Sequence, residues 1–211
     1  MKFKIIALTF LSSLCLSLPV HAQFGGMSVP GMGGGSSGPA VDTDAVKKLI
    51  TSALTSMAYA NAKYAQAVGN DSAAAQLKEI GDKLKSGSMG VNSDSIGQLK
   101  TASAPVNDAI KKSLDEKTKL SDAGKKVALE GFALHVTGSI EAFGSVKQLK
   151  KALESKSPMA LSALASLSDY PAFVAQWGTA TVTIFSYLSA NGIDIKDADK
   201  KIKDSAAMKD S

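Results

Sequence analysis

Arginine is missing from this 211-residue chain: all 24 basic side chains are lysines, set against 19 acids for a net charge of +5. Lysine is a point charge without the planar fork that reads guanine and phosphate in two contacts at once. The lysines are also interleaved with acids, so no basic stripe forms, and no specific nucleic-acid partner is expected. Cysteine occurs once, at Cys15, and histidine twice, at His21 and His135. Aromatic residues make up only 6% of the chain against 45% hydrophobic residues, so a core must be built chiefly from Ala, Leu, Val and Ile.

The N-terminus removes part of this small chemical stock. Lys2 and Lys4 precede an apolar stretch from Ile5 to Leu18, Pro19 breaks it, and Val20-His21-Ala22 places tolerated residues at the −3 and −1 positions of a cleavage site. That order of charge, apolar run and small residue is the layout of a secretory signal peptide over residues 1–22. The run is short for a membrane span of about 20 residues. Removing the first 22 of 211 residues would leave 189, with 22 lysines against 19 acids and a net charge of +3. The processed chain would hold no cysteine and one imidazole, His135. Thiol catalysis, cysteine-based zinc sites and His-rich metal sites are then excluded.

Other chemistries lack their motifs. No G-x-S-x-G elbow, phosphate-binding P-loop or G-x-G-x-x-G turn occurs. The acidic run Asp194-Ile195-Lys196-Asp197-Ala198-Asp199 lacks the turn glycine and distal glutamate of a calcium loop. Glu130 and Glu141 share a helix face with His135 turned away from both, and their separation along the axis is too large for a carboxylate pair. No catalytic residue, metal or cofactor is expected, and an enzyme is disfavoured.

Residues 23–41 read as a flexible Gly/Ser/Pro-rich linker carrying the spaced apolar residues Phe24, Met27, Val29 and Met32. From residue 42 the pattern is helical. Val46, Leu49, Ile50, Ala53, Leu54, Met57, Ala60, Tyr64 and Val68 recur at helical spacing, and Gly69-Asn70 ends the run. A second stripe (Ala73, Leu77, Ile80, Leu84) ends at Gly87. A third (Ile96 to Leu114) contains Pro105, which predicts a kink or break near Ala104. The longest helix is expected from Ser121-Asp122 to about Ser155. It is apolar or small on two faces, with Gly131, Gly138 and Gly144 permitting close helix approach. Two more helices are expected over 159–168 and 170–190, and 193–211 reads as a charged, marginal C-terminal helix or tail. The fold class is all-α: a single-domain bundle of about five to seven helices spanning 42–192.

Ala172 to Gly192 carries no charge and contains Phe173, Trp177, Phe185 and Tyr187. Three readings compete: a buried hairpin, a groove for a partner or apolar ligand, and a membrane-active segment. The candidate groove takes Phe132, His135, Phe143, Phe173, Trp177 and Phe185. Lys147, Lys150, Lys151 and Lys156 form a second candidate, a patch for polyanions. The expectation is an exported, periplasmic or secreted, non-enzymatic helical interaction or structural protein of a bacterial cell envelope. The alternative is a small-molecule or lipid-binding bundle with an aromatic-lined cavity. The partner is then an envelope protein or an apolar small ligand, with peripheral membrane contact a third reading.

Overall fold

The computed structural model describes residues 42–155 and 157–207, with no account of the side chains of 205–207. The signal-peptide and linker readings therefore lie outside the described residues. Among the described residues there are seven α-helices and no strand. They are α1 (Thr43–Ala67), α2 (Asp71–Ser86), α3 (Ser93–Asp115), α4 (Asp122–Glu154), α5 (Pro158–Leu164), α6 (Tyr170–Ala190) and α7 (Lys196–Ala207), with a 3₁₀ turn at Ala165–Leu167.

Local chemistry sets the helix starts. Asp42, Asn70, Asn92, Ser121 and Ser157 each accept a hydrogen bond from the third backbone N–H beyond them. A side-chain oxygen there satisfies a donor that the first turn leaves free. At α3 the bond is reciprocal, since Ser95 Oγ accepts from the Asn92 N–H. Gly87 ends α2 at φ 76°, a left-handed conformation open to glycine at little steric cost.

One element differs from the sequence expectation. α3 runs unbroken through Pro105. Proline removes the bond to the carbonyl of Thr101, and both residues lie on the exposed face, where water serves that carbonyl. Of the C-terminal segment, read from the sequence as a helix or tail, residues Lys196–Ala207 form α7. α7 packs on α4 with Ile202 buried and Ile195 and Ala198 against the core.

α4 sits at the centre and touches α1, α5, α6 and α7. Against α1 it runs antiparallel, its glycines meeting Ala67, then Lys63 and Tyr64, then Ser56 and Met57. A Cβ added at Gly124 would lie 3.1 Å from the Ala67 carbonyl oxygen, and one at Gly138 would lie 3.2 Å from the Met57 nitrogen. Gly124, Gly131 and Gly138 recur every seven residues and so stay on one face. Gly144 is six residues past Gly138, turns away, and has nothing within 4 Å of its Cβ position. The close approach uses Gly124 where the sequence reading named Gly144.

The remaining order follows from paired contacts. α6 is antiparallel to α4, with Phe185 against Phe132 and Tyr170 beside Ser145. Ser93 donates to the Ser166 carbonyl, and Ser113 bonds Tyr187, which sets α3 parallel to α6. Asn191 ties the far end: its Oδ1 accepts from the Leu120 N–H and its Nδ2 donates to the Tyr187 carbonyl, both at 2.8 Å and both buried. Asn191→Ala leaves the Leu120 donor without its buried partner. It is expected to lower the unfolding free energy by about 2 kcal/mol, read from urea denaturation.

Candidate functional site

α4 and α6 bring the lone imidazole of the described residues into the most aromatic part of the core. His135 is fully buried. Its ring stacks on Trp177 with centroids 4.4 Å apart and 22° between planes. Phe185 and Tyr64 close on it at 5.5 and 5.9 Å. Thr181 Oγ1 donates to the Trp177 carbonyl at 2.9 Å, so its lone pair is what meets His135 Nε2 at 2.9 Å. The network therefore assigns the proton to Nε2 and leaves Nδ1 as a bare lone pair. Nδ1 and the Tyr64 hydroxyl are buried and have no hydrogen-bond partner among the described residues.

Two effects act on the imidazole's charge. The indole face favours an imidazolium by ~1–2 kcal/mol. Burial in apolar surroundings penalises it by several kcal/mol. Burial wins, and the His135 pKa is pushed down from 6.5 to about 3. The ring is neutral at every physiological pH. Nearby polar pairs are similarly self-contained: Trp177 Nε1 donates to Ser139 Oγ at 2.9 Å, and the Tyr170 hydroxyl donates to Ser145 Oγ at 2.7 Å, because Ser145 gives its own proton to the Ala142 carbonyl. Burial raises the pKa of both Tyr64 and Tyr170.

The structure brings five of the six groove residues together as core. Phe132, His135, Phe173, Trp177 and Phe185 are between 0% and 9% exposed. Phe132 meets Phe185 edge to face at 5.4 Å. Phe143 is half-buried at the edge of the same core. α6 turns its aromatic stripe inward, and among the described residues no helix is long and apolar enough to cross a membrane.

The lysine patch is spread around the end of α4. Lys150 lies 3.9 Å from Glu154, Lys147 is half-buried and engaged, Lys151 is exposed, and Lys156 lies outside the described residues. No cluster of His, Cys, Asp or Glu that could hold a metal occurs among the described residues. In the acidic C-terminal run, Asp194 accepts from the Lys196 N–H and Asp199 pairs with Lys203.

An open recess lies elsewhere, along the outer face of α1. About 410 Å³ in volume, it is lined by Lys48, Thr51, Ser52, Thr55, Ser56 and Tyr59 of α1 and by Lys85 of α2. α2 and α4 both flank α1, which leaves this stripe facing outward between them. Ser52 and Ser56 donate to the two carboxylate oxygens of Glu141 at 2.9 and 3.3 Å. Tyr59 donates to Asp82 at 2.8 Å. Its ring occupies the space over Gly81, where a Cβ would come within 2.7 Å of Cε1. Lys78 also donates to Asp82, and the bonds from Lys78 and Tyr59 hold that carboxyl below its ordinary pKa. The sequence reading passed over this recess. Its signal was the polar series 48, 52, 55 and 59 at i, i+4, i+7 and i+11 along α1.

Comparison of the chain with protein-family models, curated proteins and solved structures finds no match.

Proposed function

We propose that the chain is an exported, non-enzymatic interaction or structural protein of a bacterial cell envelope, periplasmic or secreted, acting through the surface of its helical bundle. The observation that carries this reading is the placement of the aromatic and imidazole groups around His135. They pack against one another in the core, and the imidazole is neutral with no carboxylate bonded to it. What the bundle offers to solvent is lysine, carboxylate, hydroxyl and scattered apolar surface, including Leu129, Met159 and Val182 at 54%, 80% and 51% exposed. Surfaces of that kind recognise partners by shape and hydrogen bonding. The alternative, a lipid or small-molecule cavity lined by the same aromatics, requires those rings to stand apart.

Export rests on residues 1–22. Processing between Ala22 and Gln23 removes Cys15, the sole thiol. Protein recovered from the envelope or medium is expected to begin at Gln23 and to take no maleimide after denaturation. Unprocessed, maleimide-labelled protein confined to the cytoplasm would overturn export. The interaction reading is tested by pull-down from envelope extract with the chain intact and with residues 23–40 deleted. A shared set of envelope partners is expected. Their complete loss on deletion would transfer recognition to the linker, and no partner in either case would end the reading.

A further inference from the structure

α4 turns one apolar row to solvent. At 100° per residue, Asp122, Leu129, Ala133, Val136, Ile140 and Lys147 fall within about 60° of one another, on the side opposite the glycines that meet α1. Between its two charged ends the row is wholly apolar. Leu129 is 54% and Ile140 37% exposed, Ala133 is exposed and Val136 half-buried, so the row stays open beside α7. A lone surface leucine is ordinary, whereas apolar residues at i, i+4, i+7 and i+11 are the pattern by which one helix seats on another.

The spacing along the row says what seats there, because it is the same from either end. Seven residues separate Asp122 from Leu129, then four, three and four lead through Ala133 and Val136 to Ile140, and seven more reach Lys147. An antiparallel copy centred at the level of Leu134 and His135 therefore sets Leu129 against Ile140 of the second copy, Ala133 against Val136, and Asp122 against Lys147. A two-fold axis makes each of these contacts twice. Opposite charges meet at both ends, and the small Ala133 near the centre lets the helix axes approach. Asp122 is 97% exposed, and its 3.4 Å pair with Lys125 is a surface contact worth little. Lys125 and Lys126 come level with Gly144 and Phe143 of the second copy, so neither has a like charge directly opposite. A parallel copy would instead set Asp122 on Asp122 and Lys147 on Lys147.

We infer that the chain forms a two-fold dimer in which α4 packs antiparallel on the α4 of a second copy through Leu129, Ala133, Val136 and Ile140. The inference stands whether or not the chain is exported. From Asp122 to Lys147 the row is about 38 Å long, and at roughly 10 Å wide it covers about 400 Å² on each copy. That is at the small end of specific interfaces, so the dimer dissociates in the micromolar range.

Sedimentation equilibrium of the processed chain, residues 23–211, from micromolar to submillimolar concentration tests it, and a monomer–dimer equilibrium is expected. Leu129→Lys with Ile140→Lys changes exposed side chains and preserves helical circular dichroism. That variant should weaken the dimer at least about a hundredfold, since four apolar side chains leave the contact. Geometry is read by cross-linking, because residues 23–211 contain no cysteine. Leu129→Cys chains mixed with Ile140→Cys chains are expected to give a disulfide-linked dimer on mild oxidation. Either variant alone should give none, because the antiparallel pairing sets like positions about 16 Å apart, beyond the reach of a disulfide. A monomer at every concentration, a dimer indifferent to the two lysines, no disulfide in the mixture, or a disulfide formed by either variant alone would each overturn the inference.

Discussion

Replacing Gly131 with valine is expected to lower the unfolding free energy by about 3 kcal/mol, at the upper end of overpacking effects. A Cβ at this position would lie 2.9 Å from Lys63 Cβ, 3.0 Å from Tyr64 Cε1 and 3.2 Å from the Ala60 carbonyl oxygen. Two of those atoms are backbone or first side-chain carbons, which move only if α1 moves. Tyr64 is itself 1% exposed and pinned beside His135, so its ring has little room to turn. Against this stands the better helix propensity of valine over glycine, worth under about 1 kcal/mol. The clash wins. Gly131→Ala should fall between, near 1 kcal/mol destabilising. The contrast is Gly144→Ala, where nothing lies within 4 Å and the residue is exposed. There the propensity gain of about 1 kcal/mol is unopposed and the variant is more stable. Urea denaturation of the three variants checks the set. Equal responses at Gly131 and Gly144 would mean that α1 and α4 do not meet at glycine.

Helix boundaries in this chain were legible because each depends on a few adjacent residues. Ser121 caps α4 and Gly87 closes α2 wherever the bundle places them. The all-α class followed from periodicity alone. Pro105 shows where local reasoning fails, since the loss of a backbone bond depends on whether water can replace it. Gly144 fails similarly: spacing alone could have preferred Gly124, but only the position of α1 says which face requires glycine. α7 and the residue before it carry Ile195, Ala198 and Ile202 as apolar anchors, and the docking surface is supplied by α4.

The candidate sites were less legible than the fold. Thr181 and Trp177 lie 46 and 42 residues beyond His135, and only the antiparallel pairing of α4 with α6 joins them. The recess needs α1 and α2 together. No single stretch of sequence contains it.

Acidification should destabilise the bundle through His135 by about 2.5 kcal/mol between pH 7 and pH 4.5. In the unfolded chain the imidazole titrates near 6.5, whereas in the fold burial holds its pKa near 3. Between those values the unfolded state binds a proton that the folded state does not. Stability rises with pH wherever the unfolded state binds more protons, so this contribution is complete above about pH 6.5 and declines toward pH 3. Carboxylates also titrate in the lower part of that window, and a variant separates them. His135→Leu removes the titrating group while Thr181 keeps its bond to the Trp177 carbonyl. The difference in unfolding free energy between the native chain and His135→Leu is expected to change by about 1.2 kcal/mol per pH unit from pH 6 to pH 4. Urea denaturation at half-unit steps measures it. A difference that stays flat across the window would mean that the imidazole reaches water or a counter-charge in the folded state. The sealed cluster of His135, Trp177, Tyr64 and Phe185 would then open under the conditions of the experiment.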